Sequence, residues 1–472
     1  MWGIELQTKH EISLSRQIFL SIKEKIIKGR IAPGEALPST RELAKNLAVS
    51  RNTVCEAYDM LLTEGFIVNR QGAPTRVVED LVIEDGVRSE EASVHESETG
   101  ESGQRAMVKA DFRTGRPDLL RFPWQLWNRM LRDAAQALPV ADWGYRNPKG
   151  YEPLCEEIAM WLFRSRSMNV NPQDVFITAG STQALFLLTD LLYKEGFGFG
   201  IEKPSHPGFH TIIADRDAPY RWMPVDSHGA DVDELDGSSL SAVYVTPSHQ
   251  YPLGGILPAS RRAALIRLAR EHDFYIIEDD YDSEFRYSGP PVSPIYSMDS
   301  SHVVYVGTFS KTLFPALRIG FVVLPKALQT EWKHRRMYLD VQNPVLEQAV
   351  LAEFLRTRKM DKHVRSMRRI YGEKREILLE TIRGAFGSSV HAMGDASGLH
   401  MVLHFPGAEF GTEFVEDSKA VGVKVQPLAC YCPGGENHID KLLLGYGHLN
   451  LNDIGEGIKM LQPLIDKYRC RR

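Results

Sequence analysis

The chain is expected to fold as two units of different class: a small helical head closed by a hairpin, and a large α/β body on a mainly parallel sheet with helices on both faces. Three observations point to this. Residues 1–78 carry helix-period apolar patterns separated by short turn signals. From about residue 110 onward, short apolar runs bounded by turns alternate with helical stretches. Between them, residues 79–105 are rich in Glu, Ser and Gly and contain no aromatic residue. Such a segment buries too little apolar surface to offset its ordering entropy, so it reads as a flexible, self-repelling linker.

The bulk properties bound the function classes. At 472 residues the chain suits two or three domains of roughly 100–200 residues each. It is 43% hydrophobic and 25% charged, with a mean hydropathy of −0.26, as in water-soluble proteins. No apolar run of about 18 residues exists, so no membrane span is expected. The opening MWGIELQTKH lacks an apolar signal core, which implies a cytoplasmic protein. The five cysteines (Cys55, Cys155, Cys430, Cys432, Cys470) are scattered, as for reduced thiols. Cys430 and Cys432 have no further ligands at metal-site spacing, so no metal is expected. The net charge of −5 argues against nucleic-acid binding by the whole chain, but it hides a polarity. Residues 1–78 hold eleven Lys/Arg against eight Asp/Glu, whereas residues 79–105 hold two against nine. Any contact with nucleic acid therefore belongs to the head. The expected division is residues 1–78, a linker over 79–109, and a body over 110–472.

In the head, Leu14, Ile18, Phe19, Ile22 and Ile26 mark an amphipathic helix over 14–28, stopped by Gly29. Ser39 and Glu42 form a capping-box pattern that opens a second helix through RELAKNLA. Val49 and Ser50 make a tight turn into a third helix, from Arg51 to about Glu64. Residues 66–70 and 75–78 read as two short strands. Three helices and a hairpin, with two helices joined by a short turn, make a winged helix-turn-helix. Its third helix would enter the major groove of DNA with Arg51, Asn52 and Thr53 at base edges or phosphates. Arg41 and Ser39, at the start of the second helix, would reach the backbone. The plainer reading is that these are solvated polar residues at helix starts. The order of elements decides between them: G-R-I-A-P-G-E-A-L-P-S-T-R-E-L-A, then V-S-R-N-T-V, then A-Y-D-M-L-L-T-E-G-F-I closely resembles the GntR family of bacterial regulators over residues 14–70. Ala73-Pro74 replaces that family's Gly-rich wing tip.

In the body, strands are expected at 175–178, 242–246, 275–278, 303–306 and 319–324. In such sheets ligands sit beyond the carboxyl ends of the strands, and three polar clusters fall there. Thr178-Ala-Gly-Ser-Thr-Gln ends a strand and opens a helix at Ser181, where free N–H groups can hold a phosphate or simply be capped. Tyr275-Ile-Ile-Glu-Asp-Asp-Tyr places Asp279 at a strand end with Tyr281 two residues on. A carboxylate there can keep a pyridine nitrogen protonated. The acidic run is equally a metal or capping cluster, and Asp280, Asp282 and Glu284 are expected to cap or face solvent. Gly307-Thr-Phe-Ser-Lys precedes Arg318 by a short loop. Lys311 there is a candidate for a Schiff base or an ordinary surface lysine, while Thr308, Ser310 and Arg318 suit a phosphate. Minor members are Glu202-x-Pro204-x-His206 and the stretch from Thr246 to Gly254.

Together these clusters resemble the fold-type-I aminotransferases, which carry pyridoxal 5'-phosphate (PLP), over about residues 110–468. Tyr145-x-Asn-Pro-x-Gly150 agrees. T-P-S-H-Q-Y-P and E-D-D-Y-D-S-E-F-R-Y are the forms seen in the MocR subfamily of GntR regulators, and head and body together resemble that subfamily over nearly the whole chain. The resemblance implies a Schiff base of PLP on Lys311, Asp279 at the pyridine nitrogen and Tyr281 at the ring 3'-oxygen. It implies Ser181, Thr182, Ser310 and Arg318 at the phosphate, and His206 stacked on the ring. It also implies a homodimer bound to double-stranded operator DNA and a small amine effector. Relatives commonly clamp a carboxylate with a C-terminal arginine, but Pro427-Leu-Ala-Cys-Tyr431 and Leu442-Leu-Leu-Gly-Tyr446 have none. Arg113 and Arg116 are the alternative clamps, and the effector could be an amino acid, a dipeptide or a vitamin B6 form. The competing expectations are a catalytically active PLP aminotransferase and a repressor whose body holds no cofactor.

Overall fold

The computed structural model describes residues 4, 6–7, 12–69, 73–79, 108–289, 292–432 and 438–469. The expected linker lies outside the described residues except for Glu79, Val108 and Lys109, as do Gln71 and Gly72 at the wing and Cys470. The chain divides into two compact units, residues 1–101 and 102–472.

The first unit holds α1 (Leu14–Ile27), α2 (Thr40–Leu47), α3 (Arg51–Thr63), β1 (Ile67–Val68) and β2 (Arg76–Val77). Ile18, Phe19, Ile22 and Ile26 of α1 are buried against Leu43, Val54, Ala57, Leu61, Ile67 and Val77. The i, i+4 recurrence seen in the sequence is thus the core face. Serine hydroxyls cap the second and third helices: Ser39 accepts from the Glu42 N–H (3.2 Å) and Ser50 from the Thr53 N–H (3.1 Å). Ala48 between them takes a left-handed conformation (φ 54°), which ends α2 and turns the chain into α3.

The second unit begins with β3 (Ala110–Asp111), paired in parallel with strand Val423–Lys424. Helices α4 (Trp124–Ala137) and α5 (Glu152–Arg166) follow. The main sheet comprises β4 (Val175–Thr178), β5 (Gly198–Lys203), β6 (Tyr220–Asp226), β7 (Gly229–Ala230), β8 (Leu240–Val245), β9 (Tyr275–Asp280), β10 (Val303–Thr308) and β11 (Gly320–Val323), in the order β4-β11-β10-β9-β8-β5-β6-β7. The run β10-β9-β8-β5-β6 is parallel, and β11 and β7 are antiparallel to their neighbours. Two apolar clusters cover its faces, as a doubly covered parallel sheet requires. A second sheet orders strands His391–Met393, His400–His404, Lys441–Gly445 and Gln426–Pro427.

The five expected strands are all present, and three more join them. Strand β5 (GFGIEK) was hidden by its glycines, which read as turn signals. A Cβ on Gly200 would lie 3.0 Å from Val243 Cγ2, so a close strand approach is what selects glycine there. Strand β9 runs on to Asp280 because Asp279 and Asp280 pair with Val306 and Gly307 of β10.

Candidate functional site

The head gathers its predicted residues at the start of two helices. Arg41, Arg51 and Asn52 are exposed, one turn or less from the N-terminal ends of α2 and α3. Arg51 Nε donates to Thr40 Oγ1 (3.4 Å), a contact that ties the two helix starts together. Thr53 is half-buried, its hydroxyl 2.8 Å from that of Ser50, and the Ser39 hydroxyl serves the cap of α2. The exposed cations thus sit where two helix dipoles already favour an anion such as a phosphate.

In the body, α6 (Ser181–Leu192) follows β4, and α7 (Pro207–Ala214) follows β5. The carboxyl ends of β4, β5, β8, β9 and β10 and the start of the antiparallel β11 meet at one end of the sheet. There Ser181, Thr182, His206, Thr246, Asp279, Tyr281, Thr308, Ser310, Lys311 and Arg318 line a cavity of about 320 Å³. All nine predicted cofactor residues are in this set. Residues up to 137 positions apart in sequence become neighbours because parallel strands place all their exits on one edge.

Lys311 Nζ donates to the Gly115 carbonyl (2.9 Å). Burial, opposed by the carboxylates of Asp282 and Asp279, lowers its pKa from the ordinary lysine value. Asp279 is buried (8% exposed) and Oδ2 accepts from Tyr244 (2.8 Å), but its Oδ1 is buried without a hydrogen-bond partner. Burial pushes the pKa of this carboxyl up to about 7. Thr308 donates to Ser310 Oγ (3.1 Å), and Arg318 donates to the Ala179 carbonyl. Gly180 lies at φ 90°, a conformation that favours glycine, and the Arg318 guanidinium packs 3.0 Å from where a Cβ would stand. His206 caps α7 through Nδ1, which accepts from the Gly208 N–H (3.0 Å). Tyr281 donates to the backbone carbonyl of His249 (2.8 Å).

The structure corrects the reading of the acidic run. Asp280 and Asp282 are buried rather than capping or solvated, at 7% and 2% exposed. Asp280 pairs with the buried Arg166 guanidinium (2.8 Å) and accepts from Tyr305 (2.6 Å). Asp282 contacts His249 Nδ1 (3.0 Å). Glu284 is half-buried. The strand-end acids recur without helical period because each meets a different element, which spacing within one segment does not reveal.

Arg113 and Arg116 both pair with Asp111 (2.7 and 2.8 Å), and neither belongs to the cavity lining. Sequence reasoning missed Tyr244 and His400, and named His249 only as part of the Thr246–Gly254 stretch. A tyrosine in the otherwise apolar run AVYV was the available signal for Tyr244, since a buried phenol needs a polar partner. A wider cleft of about 850 Å³ near Lys203, Trp222, His404 and Lys441 contains none of the predicted cofactor residues.

Among the described residues no helix is long and apolar enough to cross a membrane. Comparison with known proteins assigns residues 14–77 to the bacterial regulatory proteins of the GntR family and residues 128–434 to aminotransferase class I and II. The chain is 33% identical to an "Uncharacterized HTH-type transcriptional regulator" of Bacillus subtilis, covering 98% of this chain and 99% of the relative. It is 31% identical to the "Probable rhizopine catabolism regulatory protein MocR" of Rhizobium meliloti, covering 96% and 94%. The multiple substrate aminotransferase of Thermococcus profundus superposes with a TM-score of 0.72 at 25% identity, covering 79% of this chain and 94% of that one.

Proposed function

Because the chain belongs to the MocR subfamily of GntR-type transcription regulators, with an aminotransferase-like body, we propose that the body uses pyridoxal 5'-phosphate to detect a small amine and that the head carries the result to double-stranded DNA. One observation supports the cofactor above all: the buried Asp279 Oδ1 that lacks a partner, in the same cavity as the Lys311 amine. A protonated pyridine nitrogen is the donor this oxygen lacks, and the pair would explain why a carboxyl is left uncompensated at a cost of roughly 1–3 kcal/mol. Ser181, Thr182, Thr308, Ser310 and Arg318 would hold the phosphate, at the N-terminal end of α6. Tyr281 would face the 3'-oxygen and His206 the ring. The bound group supplies an aldehyde that condenses with amines and a visible absorption band.

Lys311, with its charge disfavoured by burial, is the amine that holds the cofactor and yields to an incoming effector amine. Among the described lining residues the cations are Lys311 and Arg318, both assigned to the cofactor. Arg113 and Arg116 are both paired with Asp111, so an effector carboxylate would compete with Asp111 for them. This favours an amine whose recognition does not rest on a carboxylate, such as a vitamin B6 form, over a plain α-amino acid. Two heads, joined through a homodimer of bodies, would read a paired operator. An effector shifts DNA binding only by its different affinity for the two arrangements.

The test is the visible spectrum of purified protein beside Lys311→Ala, with added cofactor and then a panel of amines. A band that needs Lys311 and moves with one amine supports the reading and identifies the effector. A protein that stays colourless leaves only the DNA-binding half. A second reading, an active PLP-dependent aminotransferase, is favoured by the likeness to the Thermococcus enzyme. Multiple turnovers with a keto acid would establish it.

A further inference from the structure

In the cavity wall lies a cluster that the cofactor reading does not use: Asp282 and His400 line the cavity, and His249 packs behind them. Asp282, His249 and His400 are 2–3% exposed. His249 Nδ1 lies 3.0 and 3.2 Å from the two Asp282 oxygens, and Nε2 lies 3.2 Å from the Gly394 carbonyl. Both ring nitrogens therefore face oxygen atoms, and opposite an ionised Asp282 a doubly protonated imidazolium donates to both sides. The Tyr281 hydroxyl, which donates to the His249 carbonyl, has its oxygen 3.1 Å from the same Nδ1. Its hydrogen and one lone pair are both committed to His249. The His400 ring stacks on His249 at 4.8 Å, and its Nε2 faces the Pro252 carbonyl (3.3 Å), to which it can donate. The packing leaves no slack: at Gly398 (φ 79°) a Cβ would lie 2.3 Å from both Asp282 Oδ2 and His249 Cε1.

We propose that Asp282 and His249 are a buried ion pair that positions the Tyr281 hydroxyl on the cavity wall and sets the electrostatic field at Lys311. Neither residue is a catalytic group, since both act through Tyr281 and Lys311. The Asp282 carboxylate, with that of Asp279, favours the ammonium form of Lys311 against burial, and a positive charge on His249 beside Asp282 would offset part of that effect. The other charged or titratable groups around this system include Asp279, Arg318, His206 and His400 toward Lys311, and Asp279, Arg286, Glu284, Tyr251, Tyr287 and Tyr446 toward the pair. Burial and the His249 charge hold His400 well below the ordinary histidine value, so it stays neutral across the working range.

The proposal deepens the cofactor reading, yet its first test does not depend on it. Lys311 in the cofactor-free full chain is acylated with an amine-reactive reagent across a pH series, and its modification is followed by mass spectrometry. Asp282→Asn lowers the pH midpoint of labelling by about one pH unit, because an opposite charge is removed. His249→Gln raises it, because the carboxylate is left uncompensated, and the double variant falls between the two. In the cofactor-loaded protein the pH midpoint of the visible band moves in the same directions. Midpoints that stay put, or that both move the same way, overturn the pair as a charge device, since mere loosening of the fold has no reason to give opposite signs. A stoichiometric metal ion held by His249, Asp282 and His400 in the purified protein also overturns it. Loss of the visible band alone refutes the cofactor reading and leaves the labelling result standing.

Discussion

The head and the body place their functional groups by different means. In the head, the proposed DNA-contacting residues Arg51 and Asn52 stand in the first turn of α3, and Ser50, just before them, caps that helix. Everything the reading needs lies within a few residues. In the body, Lys311 meets the carbonyl of Gly115, 196 residues away, and Tyr281 meets His249 across 32. Helix starts are local constructions, so a sequence displays them; a cavity at a sheet edge exists only after the strands pair.

If this contrast is sound, changes in one unit leave the other's signal intact. The largest effect is expected from Asp279→Asn. It removes the charged partner proposed for the pyridine nitrogen and weakens cofactor affinity by roughly 2–3 kcal/mol, about 30- to 150-fold, while operator affinity without effector is unchanged. Titration of the visible band and a DNA-binding assay check both. The same variant has a pH signature in the cofactor-free protein. Asp279 in the fold titrates near 7 against 3.8 for the free group, so the folded state holds the extra proton between those values. The stability contributed by this group therefore falls as pH rises from about 4 to about 7, and Asp279→Asn removes that contribution from the melting-temperature profile. A wild-type profile that rises over this window by the same amount as the variant's would break the assignment.

Arg51→Ala is expected to weaken operator binding by roughly 1–3 kcal/mol and to leave the cofactor spectrum unchanged. A displaced spectrum would break the independence of the two units, and unchanged DNA affinity would relocate the recognition helix. The smallest effect belongs to Ser50→Ala. Loss of the cap costs about 1 kcal/mol, seen as a lower melting temperature of the head with the body's transition unmoved.

Much of the site was legible in the sequence because its residues follow strands directly. Asp279, Tyr281, Thr308, Ser310 and Lys311 all stand at or just past a strand end, where a ligand-facing position is a consequence of the architecture. Ser181 was legible as a helix start. The acids after Asp279 were misread, because burial of Asp280 depends on Arg166 in α5 and burial of Asp282 on His249 after β8. No periodicity within the acidic run carries that information. Tyr244 showed only as a polar atom in a buried strand, and His400, in the second sheet, had no signal near the cofactor residues at all.

By itself the sequence determined what short-range physics controls: the caps and apolar faces of the head, the alternation of strands and helices in the body, and the identity of the residues at the strand exits. The tertiary structure alone decided which of those exits share a cavity, that Asp279 is left with an oxygen unpaired, that Arg113 and Arg116 are engaged by Asp111, and that His249 and Asp282 meet beneath Tyr281. These outcomes depend on strand order and on the packing of segments far apart in the chain, and a single segment's pattern is the same whichever neighbour it finally meets.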